Sequence, residues 1–104
     1  MGLDTVTENG VLWTGTIQLD LEEPALAVAH ARLGEMAAQL GEYATTLDAN
    51  LPLVYLNYAD VSQNPLGSYG KLNVQHIRRV AAKYDPTGVF QTRVPGGFKI
   101  SRVL

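Results

Sequence analysis

Cysteine is missing from the chain altogether, which removes disulfides, thiolate nucleophiles, iron–sulfur clusters and cysteinyl cofactor attachment together. Imidazole is nearly as scarce. His30 and His76 are the two histidines, and neither has another at i+3 or i+4, so the spacing of a helical metal site is absent. Nor is positive charge in excess: eight Lys and Arg stand against ten Asp and Glu, for a net charge of −2. That balance offers no stripe to neutralise a phosphate backbone and argues against nucleic acid. No run approaches the roughly 20 apolar residues that span a bilayer, and "MGLDTVTENG" lacks the basic and apolar regions of a signal peptide. The expectation is a cytoplasmic protein that binds neither nucleic acid nor membrane.

What is there suits one domain covering residues 1–104. A chain of 104 residues, 46% of them hydrophobic, is too short for two comfortable domains. Its core should be modest, because a domain of this size buries only about 65% of the surface its unfolded chain exposes.

Along the chain, "VLWTGTIQL" (11–19) alternates Trp13, Gly15, Ile17 and Leu19 with more polar neighbours and reads as a half-buried strand with its Trp13 face covered. Pro24, with Asp20, Glu22 and Glu23 around it, predicts a helix start and a helix to about Leu47. Leu26, Ala29, Leu33, Met36, Leu40, Tyr43 and Leu47 recur in steps of three and four, a seam expected to lie on a sheet. At 1.5 Å per residue such a helix is about 35 Å long.

"LPLVYLNYA" (51–59) predicts a second strand, with Leu53, Tyr55 and Asn57 on one face and Val54, Leu56 and Tyr58 on the other. After the Asn64-Pro65 turn, Ser68 is placed to cap a second helix from about Tyr69 to Tyr84, with Leu72, Ile77, Val80, Ala81 and Tyr84 as its apolar stripe. Asp85-Pro86 and Thr87-Gly88 end it. The remainder suits one or two short strands around Pro95-Gly96-Gly97. The expected fold class is α+β: a small two-layer sandwich, a short β-sheet covered by one long and one shorter helix and completed by dimerisation.

Three of the five tyrosines fall between residues 53 and 70, in "LVYLNYADVSQNPLGSYG". This stretch and its continuation, Tyr55, Asn57, Tyr58, Asp60, Tyr69, Gly70, Asn73, Ile77, Tyr84, Asp85, Pro86 and Phe90, resemble the C-terminal segment of berberine-bridge-enzyme-like FAD-linked oxidases. The closing "VPGGFKISRV" is similar to fungal members. The resemblance is strong from about Leu53 to Val103 and reaches back to Leu3. It covers only the last part of the family's full length and nothing of its FAD-binding domain. It implies a substrate-covering wall whose aromatic hydroxyls line a pocket, with Tyr55 and Tyr58 as the matching acid/base candidates.

A free phenol has a pKa near 10 and serves as donor and general acid at neutral pH; acting as a base requires a nearby cation. The candidate catalytic residues are therefore Tyr55, Tyr58 and, at the edge of the second helix, His76. Asn57, Tyr69 and Trp13 are the substrate-binding candidates. The leading expectation is a stand-alone, cofactor-independent isomerase or cyclase of fungal secondary metabolism, acting on a small-molecule substrate as a homodimer. The alternatives are a fragment or subunit of an FAD-dependent oxidoreductase, which needs FAD and a flavoprotein partner, and a non-catalytic binding protein.

Overall fold

A computed structural model describes residues 3–17 and 23–103. The chain divides into two compact units, Gly10–Leu51 and the combination of Met1–Asn9 with Pro52–Leu104.

In the first unit, helix α1 spans Glu23–Thr46, close to the expected 24–47. The acidic start at Asp20 and Glu22 and the end of the first expected strand lie outside the described residues. The C-terminus is a Schellman closure. Ala49 N donates to the Ala44 carbonyl at 2.9 Å and Asp48 N to that of Thr45 at 3.1 Å, with Asp48 left-handed at φ 52°. Residues 10–17 run without secondary structure beside the helix. Gly15 sits against Leu33 so closely that a Cβ there would lie 2.2 Å from the leucine Cδ1, and a Cβ on Gly10 would lie 2.4 Å from Leu51 Cδ1. Of the expected seam, Ala29 and Leu33 are half-buried, while Leu26, Met36, Leu40, Tyr43 and Leu47 remain exposed.

The second unit is also helical. Short helix α2 covers Pro65–Ser68, α3 covers Lys71–Tyr84 and α4 covers Val89–Thr92, with single 3-10 turns at Leu3–Thr5, Leu56–Tyr58 and Ile100–Arg102. Val74, Ile100 and Val103 form the buried core, with Leu66, Ile77 and Ala81 packed on it. Val74, Ile77 and Ala81 share a face because they stand three and four residues apart. Ile100 and Val103 share one because residues i and i+3 eclipse in a 3-10 turn. The Arg78 guanidinium donates to the Val103 carbonyl, and Ser101 N donates to Gln91 Oε1 at 3.3 Å. The last segment is thereby closed onto α3 and α4.

These elements overturn the α+β sandwich: the described residues contain no strand and no sheet. The run 51–59 carries Pro52 and Asn57, both poorly suited to a ladder, and turns instead of pairing. Gly96 and Gly97 both have positive φ, 75° and 65°, so the chain there bends away from an extended path and enters the Ile100 turn. With no second strand to pair with, 11–17 stays irregular, and Trp13 is 48% exposed, not covered.

The apolar stripe of α3 is corrected as well. Leu72 and Tyr84 are 81% and 73% exposed, whereas Val74, two residues and roughly 200° round the helix from Leu72, is buried. Ser68 does not cap α3. It closes α2, and Gly70 is the residue preceding α3.

Asp85 does more than end α3. Its two carboxylate oxygens accept from Val89 N at 2.8 Å and Phe90 N at 2.9 Å, capping α4. Asp85→Ala is expected to destabilise the unit by about 1 kcal/mol, read as a lower urea midpoint at unchanged slope, with Asp85→Asn losing less.

Candidate functional site

The tyrosine-rich stretch is built as a turn. Tyr58 N donates to the Tyr55 carbonyl at 3.1 Å and Ala59 N to that of Leu56 at 3.4 Å. One turn of 3-10 helix stacks i on i+3, so Tyr55 and Tyr58 do not point opposite ways as a strand would require. Their rings meet edge to face, with centroids 5.3 Å apart at 66°. Asn57 Nδ2 donates to the Tyr55 hydroxyl at 3.0 Å. Because Tyr55 Oη accepts there, its own O–H is free to donate outward. Both rings are open to solvent, Tyr55 at 41% and Tyr58 at 71%.

The turn is held at both ends. Upstream, Val54 N donates to Ser68 Oγ at 2.9 Å, and the same hydroxyl donates to the Pro65 carbonyl at 2.6 Å. Pro65 is fully buried, and Asn64 Oδ1 accepts from Gly67 N at 3.0 Å to cap α2. Downstream, Asp60 Oδ1 accepts from Ser62 N at 2.9 Å and Ser62 Oγ at 2.6 Å, while Asp60 N donates to Gln63 Oε1 at 2.8 Å. The candidate side chains are therefore exposed but stand on a tied frame, the arrangement that positions reactive groups on loops.

The other candidates lie elsewhere. Tyr69 is half-buried at the end of α2, and its carbonyl accepts from Asn73 Nδ2 at 2.9 Å. Asn73 Nδ2 also lies 3.3 and 3.4 Å from the carboxylate oxygens of Asp4, so this asparagine fastens the N-terminal turn to α3. His76 is exposed on α3, and no hydrogen bond or ring contact joins it to Tyr55 or Tyr58 among the described residues. Trp13 belongs to the other unit, where it lines an open groove with Met36, Gln39, Leu40 and Tyr43.

Tyr55, Asn57 and Tyr58 thus form a constellation by themselves. It presents an oriented hydroxyl donor, an amide and an aromatic edge, which together can hold and polarise one carbonyl or hydroxyl oxygen. No lysine or arginine contacts either phenol among the described residues; the cation–π contact is Lys83 over Tyr84 at 5.2 Å. Sequence reasoning paired Tyr55 with Asn57 on strand periodicity and missed the contact with Tyr58. The signal that could have found it was Asn57 inside an apolar run, a residue that favours turns.

Among the described residues no group of three or more His, Asp or Glu could hold a metal ion. A dinucleotide finds no fitting cradle in them either. Gly10, Gly15 and Gly67 face Leu51, Leu33 and Asn64 of the chain itself, and Gly96-Gly97 leads into a single 3-10 turn instead of a helix. No described helix is long and apolar enough to cross a membrane.

No family model matches the chain, and no solved structure does. The chain is similar to fungal proteins, several of them named FAD-dependent monooxygenases. An FAD-dependent monooxygenase of Aspergillus calidoustus is 54% identical over 69 residues, 66% of this chain and 13% of the relative. One of Emericella nidulans is 53% identical over 64 residues, 62% of this chain and 13% of the relative. The bifunctional solanapyrone synthase of Alternaria solani is 40% identical over 74 residues, 71% of this chain and 14% of the relative. The matches span only these small shares of each relative, and the relatives named FAD-dependent monooxygenases come from fungi.

Proposed function

We propose that the chain is the substrate-side segment of a fungal FAD-dependent oxidoreductase of the berberine-bridge-enzyme-like kind. Tyr55 and Asn57 orient a substrate oxygen, Tyr58 packs beside it, and the flavin is carried by another part of the enzyme. The observation that carries this reading is the thinness of the core. Val74, Ile100 and Val103 are the buried hydrophobic residues among those described, while Trp13, Met36, Leu40, Tyr43, Leu47 and Phe90 are each more than 40% exposed. Apolar surface in that proportion calls for a covering partner, and relatives that share this sequence are named FAD-dependent monooxygenases.

FAD supplies redox chemistry when bound; this chain's own part is to bind and orient the substrate and to move a proton at Tyr55 Oη. A stand-alone isomerase or cyclase would use the same hydroxyl, since proton transfer needs no flavin. Isolation from the native host under mild conditions separates the two. The expected result is a complex with flavin absorbance in which Tyr55→Phe lowers kcat about a hundredfold while the exposed ring leaves folding unchanged. A preparation free of flavin and of any flavoprotein overturns the proposal and returns the stand-alone enzyme.

A further inference from the structure

The five asparagines of the chain differ in how their amides are held. Asn50 Nδ2 donates to Thr45 Oγ1 at 3.1 Å, Asn57 Nδ2 to the Tyr55 hydroxyl at 3.0 Å and Asn73 Nδ2 to the Tyr69 carbonyl at 2.9 Å. Asn64 Oδ1 accepts from Gly67 N at 3.0 Å. Asn9 is the exception. It is exposed and outside any helix, and neither it nor Gly10 takes part in a hydrogen bond among the described residues.

The residue that follows each asparagine matters as much, because its backbone nitrogen is the nucleophile within reach of the side-chain carbonyl. Pro65, after Asn64, has no N–H. At Tyr58 and Val74 the N–H is committed to the carbonyls of Tyr55 and Gly70, at 3.1 and 3.0 Å. Leu51 puts a branched side chain beside the amide that follows Asn50. Asn9 alone is followed by glycine, which has no Cβ to obstruct ring closure and the widest backbone freedom.

We propose that Asn9–Gly10 is a site of spontaneous covalent modification, at which the chain converts its own asparagine to aspartate and isoaspartate. Gly10 N bonds to Asn9 Cγ and the Cγ–Nδ2 bond breaks. Ammonia leaves with the proton of the Gly10 amide, and a five-membered succinimide remains. Water then adds to one of the two ring carbonyls. Opening the Cγ–N bond gives aspartate; opening the bond to the backbone carbonyl carbon gives isoaspartate, whose main chain runs through Cβ and Cγ and is longer by one atom. The sum is hydrolysis of an amide, with no change of oxidation state. The chain passes between its two compact units at this bond, and Gly10 sits against Leu51. Isoaspartate therefore lengthens the main chain next to a seated residue, and both products place a new negative charge beside Glu8. None of these steps involves a flavin, so the inference stands or falls apart from the proposed function.

The test follows each asparagine by peptide mapping and mass spectrometry while the full chain is held in mildly alkaline buffer, natively and in denaturing urea. In the native chain Asn9 is expected to gain one mass unit about tenfold faster than any of the other four, with separate aspartate and isoaspartate peptides. Unfolding should raise the rates at Asn57 and Asn73 but leave Asn9 within about twofold of its native rate. Asn9→Gln should suppress the signal, since its ring closure would need six members. An Asn9 that stays intact in the native chain, whether or not urea releases it, or a second asparagine that converts as fast, overturns the inference.

Discussion

Ile100→Asp is expected to abolish cooperative unfolding of the unit that contains α3. Ile100 is 6% exposed and forms the buried core with Val74 and Val103 among the described residues. Truncation of a buried isoleucine alone costs about 2–5 kcal/mol, and an unpaired buried carboxylate adds several more. A unit of this size has roughly 3–9 kcal/mol to lose, taking 0.05–0.15 kcal/mol for each residue. Thermal melts followed by circular dichroism should show a broad, shallow transition, and the dispersed methyl resonances of the unit should collapse. Leu72→Asp is the contrast. At 81% exposure it should shift stability by no more than about 0.5 kcal/mol; a loss as large as that of Ile100→Asp would mean that the core has been assigned to the wrong face of α3.

Gly70→Ala should come next in size. Gly70 enters α3 at φ 85°, ψ 154°, a region open essentially to glycine alone, where a side chain costs about 1–3 kcal/mol. Its strain falls on the junction between the α2 frame and α3, so both stability and the setting of the tyrosine turn should suffer. Gly34→Ala provides the control. Inside α1, with open space around a new Cβ, it should stabilise by about 0.5–1 kcal/mol through helix propensity. Urea titration of both variants distinguishes conformational strain at one glycine from a general effect of added methyl groups.

How far the fold could be read in advance differs from element to element. α1 was legible because its signals are local: Pro24 near the start and apolar residues spaced by threes and fours from Leu26 to Leu47. α3 was legible in extent but not in orientation. Its buried face follows Val74, Ile77 and Ala81, spaced by three and four, with which Leu72 is out of register, and that face is covered by Ile100 and Val103 from well beyond the end of the helix. The strands failed for a different reason. Alternation in 11–17 and apolar content in 51–59 describe what a strand needs from its side chains, whereas a sheet also needs a partner for each backbone edge. The tail, expected to supply that edge, turns at Gly96 and Gly97 and gives its apolar residues to α3.

The candidate site follows the same division. Tyr55 and Tyr58 were singled out through the resemblance, with Asn57 on the Tyr55 face of a strand and Tyr58 on the other. The 3-10 turn instead brings Tyr58 onto the same side as Tyr55. His76 and Tyr69 were proposed on type and position, and neither meets the tyrosine pair by a hydrogen bond or ring contact among the described residues, while Trp13 belongs to the other unit. Asn73 and Asp85 act on backbone geometry, Asn73 through the Tyr69 carbonyl and Asp85 through the first amides of α4.

The two close approaches of glycine to leucine, Gly10 at Leu51 and Gly15 at Leu33, act together as a pair of indexing pins. A segment with no ladder to hold it is in principle free to slide along a smooth helix. Here the fit is made at both ends by a leucine methyl lying where a side chain on the glycine would begin, so a slip of one residue would oblige Leu51 and Leu33 to change rotamer. The segment 10–17 therefore owes its seating on α1 to side-chain fit instead of hydrogen bonds.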